Sequence, residues 1–349
     1  MTANSQIAAR ITPPNRLEVE AETAEATNVR ILVTGGAGFL GSHLVDRLVG
    51  DGHRVDVLDD LSTGRLENLS AAWGRLSFHR GSVLDGRLVD ALVGAVDRVV
   101  HLASPVGVER VAAAPTETER AITGGGRFVL DAAERHGVPA VVGTSSEVYG
   151  FEPPTPVRED HFPDRIGGDA ARLSYARAKH SLDVDARGRA AAGSSVLVVR
   201  PFNLVGPRQE NTGGAVLPRF VARARAGLPL EVHGDGAQRR VFLDARDAAR
   251  TIAQLIRWPT WPVDAVNLGG REEWSMWDLA HRVVQQLGAP VTVRRVPLPA
   301  SRGGVEVQRR VPDLCRLEQI VAAGPRFSVD DAILALAEGK PEVATGLVA

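Results

Sequence analysis

The stretch Val29-Arg30-Ile31-Leu32-Val33-Thr34-Gly35-Gly36-Ala37-Gly38-Phe39-Leu40-Gly41-Ser42-His43-Leu44 decides the fold. Val29 to Thr34 is a short β-branched, apolar run that reads as a strand. It passes directly into Gly35, Gly38 and Gly41, and Ser42 to Val49 continues with helical spacing. Strand, glycine turn, helix is the order of a dinucleotide site: glycines let the backbone turn sharply and approach a pyrophosphate, whose charge the helix N-terminus favours. The spacing is Gly-x-x-Gly-x-x-Gly, one residue longer before the second glycine than Gly-x-Gly-x-x-Gly.

Outward from this stretch, Arg54 to Leu58 reads as a second strand ending in Asp59-Asp60. An acidic side chain there accepts from both ribose hydroxyls and repels a 2′-phosphate, which favours NAD over NADP. Leu76 to Val83 reads as a third strand ending at Asp85, a candidate partner for the adenine amino group. Asp97 to Leu102 reads as a fourth, followed by the small residues Ala103-Ser104 and Pro105. Arg110 to Gly137 carries helix formers interrupted at Gly124-Gly125-Gly126. Pro139 to Thr144 is a fifth strand that delivers Ser145, Ser146 and Glu147 at its carboxyl end, where open parallel sheets place their ligands. Ser195 to Arg200 is a sixth, stopping at Pro201.

Tyr175 and Lys179 lie four residues apart on one helix face. The ammonium can hold the phenol partly ionised, and a hydroxyl from the Ser145 stretch completes a site for taking a proton from an alcohol.

Beyond residue 200 the chain becomes loop-rich, with Gly206-Pro207, Gly213-Gly214 and Gly234-Asp235-Gly236 around a short helical piece, Leu217 to Ala226. Such a region reads as a ligand-binding lobe. Val241 to Trp258 is expected to be helical and to return to the main domain, Ala265 to Leu268 to be a strand, and Trp277 to Leu287 and Val329 to Leu336 to be helices. The division expected is a mobile tail over 1–28, a dinucleotide-binding domain over 29–200 rejoined by 239–268, a lobe from 201–238 and 269–337, and a C-terminal tail over 338–349. Trp258, Trp261, Trp274 and Trp277 are expected to pack the lobe, and His101 to be a packed histidine.

Lys+Arg 41 against Asp+Glu 42 gives a net charge of -1, so no basic field points to nucleic acid or an anionic membrane. The single Cys315 excludes an internal disulfide and a cysteine zinc cluster, and His101, His161 and His233 lack a metal-ligand spacing. No apolar run is long enough for a membrane span, and 1–28 lacks a signal core, so the cytoplasm is the expected compartment.

The segments VTGGAGFLGSHL, HLA, SSEVYG, YARAK, RPFNLVGPRQ and GDGAQRRVF, with Asp247, run in order over the chain from Val29 to about Leu336. Together they resemble the extended short-chain dehydrogenase/reductase family of nucleotide-sugar epimerases, dehydratases and decarboxylases. The resemblance implies a Rossmann-type doubly wound parallel sheet with a smaller C-terminal substrate lobe, a tightly held NAD, and a UDP- or dTDP-sugar substrate. It assigns Gly35, Gly38, Phe39, Leu40, Gly41, Asp59, Ser62, Thr63, Asp85, Leu102, Ala103, Tyr175, Lys179 and Pro201 to the cofactor. Pro105, Arg172, Asn203, Leu217, Phe220, Val232, Arg240 and Arg310 fall to the nucleotide sugar, and arginine forks match phosphate oxygens. It further implies a homodimer, joined as a four-helix bundle by the Tyr175 helix and the one before it.

Within the family, dehydratases resembling this chain carry Thr-Asp-Glu where it has Ser145-Ser146-Glu147, so the acid for a departing hydroxyl is missing. Most 4-epimerases have neither carboxylate. A hydroxyl, Ser and Glu resemble the UDP-glucuronate decarboxylases, as do Arg172 three residues before the tyrosine and Pro105 after His-Leu-Ala-Ser. The expected activity is decarboxylation of UDP-glucuronate through a 4-keto sugar to UDP-xylose or the 4-keto pentose, with Tyr175, Lys179, Ser145, Glu147, Ser146 and Arg310 as the catalytic set. A UDP-sugar 4-epimerase, a nucleotide-sugar dehydratase and a binding protein without turnover are the alternatives.

Overall fold

The computed structural model describes residues 28–105, 107, 111, 113–167, 173–210, 215–298, 307–321 and 324–339. Its centre is a seven-stranded sheet. In chain order the strands are β1 (Arg30–Thr34), β2 (Arg54–Asp59), β3 (Leu76–Arg80), β4 (Arg98–His101), β5 (Ala140–Gly143), β6 (Val196–Pro201), β7 (Leu204–Val205), β8 (Leu230–His233), β9 (Arg239–Val241), β10 (Leu243–Asp244), β11 (Ala265–Leu268), β12 (Glu273–Ser275), β13 (Val293–Val296) and β14 (Arg309–Arg310). The central order is β11-β6-β5-β4-β1-β2-β3, with every pair parallel. The chain reverses its direction of sheet growth between β3 and β4, which opens a crevice above β1 and β4, where doubly wound sheets bind ligands.

Strands buried on both faces read as continuous apolar runs, as β5 and β6 do. One face is covered by the helices Phe39–Gly50 and Ala245–Leu255, whose Leu44, Leu48, Ile252 and Leu255 pack on Ile31, Val33 and Leu197. The other carries helices Gly86–Val93, Gly125–His136 and Ser174–Ala191, which supply Val89, Leu130 and Leu182 to a core with Leu32, Val99 and Val198.

The expected helix over Val241 to Trp258 is instead β9, β10 and a helix confined to Ala245–Leu255. Asp244 starts that helix by accepting the Arg246 N–H at 2.8 Å, and Arg239 to Val241 is taken up by pairing with β12 and β14. The third strand stops at Arg80, not Val83. Trp261 packs against the sheet core, while Trp274 and Trp277 pack the lobe. Helix Cys315–Ile320 and strands β12 to β14 carry too few residues to show a period in the sequence.

The glycine run does not break the helical segment. Arg120–Gly124 forms one wide π turn that feeds the helix Gly125–His136. A Cβ on Gly125 would stand 2.5 Å from Val83 Cγ2, and one on Gly126 2.4 Å from Leu182 Cδ1, so these glycines serve close packing against the loop after β3 and the Tyr175 helix.

The lobe has its own core of Leu217, Phe220, Leu230, Val232, Leu279, Val283 and Ile333, from helices Val216–Arg225, Met276–Leu287 and Val329–Glu338 and from β8, which pairs with β13. Among the described residues no helix is long and apolar enough to cross a membrane.

Candidate active site

A cavity of about 740 Å³ runs along the carboxyl ends of β1, β2, β4, β5 and β6 into the lobe. Its first wall is the glycine turn. Gly35 has φ +72°, and a Cβ on Gly41 would lie 2.1 Å from the Gly35 carbonyl oxygen, so side chains are excluded at both places. A Cβ on Gly38 would meet only that carbonyl, at 3.1 Å, which leaves the cavity side of the turn open to a ligand. Asp59, at the end of β2, accepts the Ala37 N–H and the Leu61 N–H at 2.9 Å each, which fixes its carboxylate at the rim of the turn. Burial holds its pKa above the usual carboxylate value. Turn and carboxylate together form a cradle shaped for a dinucleotide, with Phe39, Leu40, Ser62, Thr63, Leu102, Ala103 and Pro201 also on the wall.

The second wall is the end of β5. Ser145 caps the short 3₁₀ turn Ser146–Tyr149, its Oγ accepting the Glu147 N–H at 3.2 Å, so Ser145, Ser146 and Glu147 all border the cavity. Facing them, the helix Ser174–Ala191 brings Tyr175, hydrogen-bonded to Ser145, and Lys179, whose Nζ donates to the Gly143 carbonyl at 2.8 Å. The Lys179 nitrogen is 5.9 Å from the centre of the Tyr175 ring.

Burial governs both groups. It lowers the Lys179 pKa from 10.5 to about 7, and it raises the Tyr175 phenol, helped by the Glu147 charge and opposed by the Ser145 hydrogen bond. Burial therefore outweighs the ammonium in the protein by itself, and lowering the phenol for proton transfer needs the positive charge of a bound nicotinamide beside Lys179. His101, 1% exposed, shares a 2.7 Å hydrogen bond with Thr34 Oγ1, and burial lowers its pKa to about 3, so it is a neutral packed histidine.

The third wall belongs to the lobe and its approach. Asn203 sits at φ +32° with Nδ2 donating to the Val241 carbonyl at 2.9 Å. Arg240, Phe220, Val232 and Pro105 line the cavity as well. Arg310, on β14, donates through Nη2 to the Gly150 carbonyl, and burial lowers its pKa against the opposing pull of the Glu147 carboxylate. One cationic and one anionic side chain thus border the same cavity as Tyr175, and the Glu147 charge acts on both other groups.

Two of the expected residues stand apart from the cavity wall. Asp85 does not reach the cavity, because its Oδ1 accepts the Arg87 and Leu88 N–H groups and caps helix Gly86–Val93. Ser82 and Val83 stand at the wall in its place. Leu217 is wholly buried in the lobe core. Arg172 lies outside the described residues.

Sequence reasoning also missed wall residues. Asn68, which donates to the Ala37 carbonyl at 2.9 Å, stands in a stretch without a motif, whereas Arg208 was already inside the quoted RPFNLVGPRQ segment. Arg219, next to Phe220 on the lobe helix, and Gln238, held to the His233 carbonyl at 3.0 Å, also stand on the wall. Among the described residues no group of His, Cys, Asp and Glu could hold a metal ion.

Residues 31–269 match the NAD dependent epimerase/dehydratase family. The chain is similar to the UDP-N-acetyl-alpha-D-glucosaminuronate decarboxylase of Bacillus cytotoxicus, 33% identical over 305 residues that cover 86% of this chain and 94% of the other. It is 30% identical to UDP-glucuronic acid decarboxylase 1 of Xenopus tropicalis, over 89% of this chain and 72% of that one. Among solved structures, the dTDP-glucose 4,6-dehydratase of Streptomyces venezuelae, with NAD bound, superposes with a TM-score of 0.77 at 29% identity, covering 88% of this chain and 95% of the other. The order of elements, the glycine cradle with its acidic rim and the Ser145-Tyr175-Lys179 cluster agree with that match, and the chain belongs to the NAD-dependent epimerase/dehydratase family, with NAD as its cofactor.

Proposed function

We propose that the chain decarboxylates UDP-glucuronate, or a close UDP-hexuronate, through a 4-keto sugar to UDP-xylose or the 4-keto pentose. The observation that carries this reading is that Glu147 and Arg310 line the cavity with Tyr175, the Glu147 charge favouring the Arg310 cation, while the middle member of the triplet is Ser146 and not an acid. A leaving hydroxyl needs an acid at that middle place. A leaving carboxylate needs only a cation to hold it and donors at the neighbouring ketone.

Gly35, Gly38, Gly41 and Asp59 would hold NAD, which when bound accepts a hydride from the sugar and gives it back. With Lys179 and the positive charge of bound NAD to favour its ionised form, Tyr175 Oη, with Ser145 beside it, would take the proton of the 4-hydroxyl as that carbon is oxidised. Arg310 holds the carboxylate of the substrate. The bond from carbon 5 to the carboxyl carbon then breaks, its electron pair moves to the ketone oxygen as an enolate, and carbon dioxide leaves. Donors on Ser145 and Tyr175 stabilise that oxygen. Glu147, with Ser146, orients Arg310 and relays the proton that returns to carbon 5. When the ketone is reduced again, Tyr175 gives its proton back to the oxygen. Asn203 and Arg240 are assigned to the diphosphate, Phe220 and Val232 to the base.

Incubation with UDP-glucuronate followed by mass analysis tests the reading: loss of carbon dioxide supports it, and an unchanged mass with carbon 4 inverted makes the chain a 4-epimerase instead. The similarity to decarboxylases at 30–33% identity supports the first outcome. Phe128 and Val184, exposed on helices Gly125–His136 and Ser174–Ala191, support a homodimer through a four-helix bundle, and sedimentation as a monomer would remove it.

A further inference from the structure

Behind the cavity floor runs a buried polar chain that no step of the chemistry uses. Asn267, at 0% exposure on the edge strand β11, is its junction. Its N–H donates to Glu159 Oε1 at 2.8 Å, its Oδ1 accepts the Tyr149 hydroxyl at 2.6 Å, and its Nδ2 donates to the Val157 carbonyl at 2.8 Å and the Asp313 carbonyl at 3.1 Å. Every hydrogen-bonding group of that side chain's amide is in use.

The partners lead to every part of the site. Val157 N–H donates to the Val311 carbonyl, and Asp313 N–H to the Val157 carbonyl, so the loop bearing Val157 is tied to the segment that carries Arg310. Tyr149 closes the same 3₁₀ turn that presents Glu147, and its hydroxyl accepts from Arg200 Nη1 at 2.8 Å. Arg200 forks onto Asp183 at 2.6 and 2.8 Å, two turns along the helix from Tyr175 and one from Lys179, and Asp183 also accepts the Thr144 hydroxyl at 3.0 Å, next to Ser145. Arg200 and Asp183 are both 0% exposed.

The geometry points to Asn267 as a positioning residue that sets where Arg310 stands relative to Glu147 and Tyr175, by clamping the β14 segment of the lobe to the floor of the sheet. Three segments distant in sequence are registered through one side chain. This inference rests on the reading of Arg310 as a substrate-holding group, and its test separates the two.

The experiment compares holoenzyme carrying Asn267→Ala, Arg310→Met and both together. Turnover of UDP-glucuronate by Asn267→Ala is expected to fall about 10- to 100-fold, as a misplacement of about 1 Å does, with KM moving less than kcat. In the Arg310→Met background the same change is expected to cost little more, because the group it positions is already gone. Hydrogen exchange gives a readout that does not depend on the substrate: the Val157 and Asp313 amides should lose protection, while the β11 amides paired with β6 keep theirs. Full additivity of the two substitutions, or unchanged protection at Val157 and Asp313, overturns the inference. Should Asn267→Ala not fold, Tyr149→Phe, which removes one bond of the junction and keeps the ring, takes its place in the same cycle with a smaller coupling expected and additivity again decisive. A wild-type protein inert toward UDP-glucuronate would defeat the activity proposed above, and the exchange measurement would still decide this one.

Discussion

Replacing Lys179 by Met changes how the fold responds to pH. Lys179 is 3% exposed, and burial lowers its pKa from 10.5 to about 7. Between those values the unfolded chain binds a proton that the folded chain does not, so this group makes stability rise with pH across the window. The penalty is complete below pH 7 and absent above 10.5. Each unit of difference corresponds to about 1.4 kcal/mol, and the part of the window from pH 7 to 9.5 is worth about 3 kcal/mol. The upper limit avoids Tyr175, whose raised pKa acts in the opposite sense: its contribution is intact below 10 and is lost above that. Urea denaturation of the cofactor-free protein at pH 7, 8 and 9.5 is the assay, with the variant as reference. Removing the 2.8 Å bond to the Gly143 carbonyl adds an offset that does not depend on pH, so only the change in the gap between the two proteins matters. The wild type should gain about 3 kcal/mol relative to Lys179→Met from pH 7 to 9.5. Curves that stay parallel would refute the argument that this ammonium is held in a desolvated place.

Tyr175→Phe should lower kcat by about 10²- to 10⁴-fold while the protein keeps its bound cofactor, measured by steady-state kinetics beside the absorbance of the retained NAD. Asp183→Asn strips Arg200 of its buried counter-charge and should cost about 3–5 kcal/mol in chemical denaturation. Gly41→Ala places a methyl where 2.1 Å separates it from the Gly35 carbonyl, so it should destabilise the turn by about 1–3 kcal/mol and release NAD on gel filtration.

Much of this was legible because the decisive features are local. The β-branched run before Gly35 and the apolar runs of β5 and β6 announce parallel strands without any tertiary information. Tyr175 and Lys179 are four apart, so a helix brings them to one face whatever surrounds them. Features that depend on distant partners were hidden. Asp85 reads equally as a ligand or a cap, and only the direction of its carboxylate toward Arg87 N and Leu88 N decides. Strand β10 was read as the start of a helix because the strand it pairs with, β7, lies tens of residues away. The raised Tyr175 phenol and the lowered Lys179 ammonium of the protein by itself were hidden for a related reason: spacing gives proximity, but desolvation depends on everything packed around the pair. Asn267 was invisible, since an Asn in an apolar strand carries no motif and takes its meaning from Tyr149, Val157 and Asp313.

The paired glycines at 125 and 126 restrict which neighbours can change independently. Leu182 sits two turns from Tyr175 on the same helix, and it fills the space that a methyl on Gly126 would need. An alanine there has room only if Leu182 shortens or the helix retreats, and a retreat carries the phenol and the ammonium with it. Variation at this exposed-looking run of glycines is therefore tied, through one leucine, to the placement of the proton-handling pair, and compensating changes should be sought at residue 182 before anywhere in the cavity.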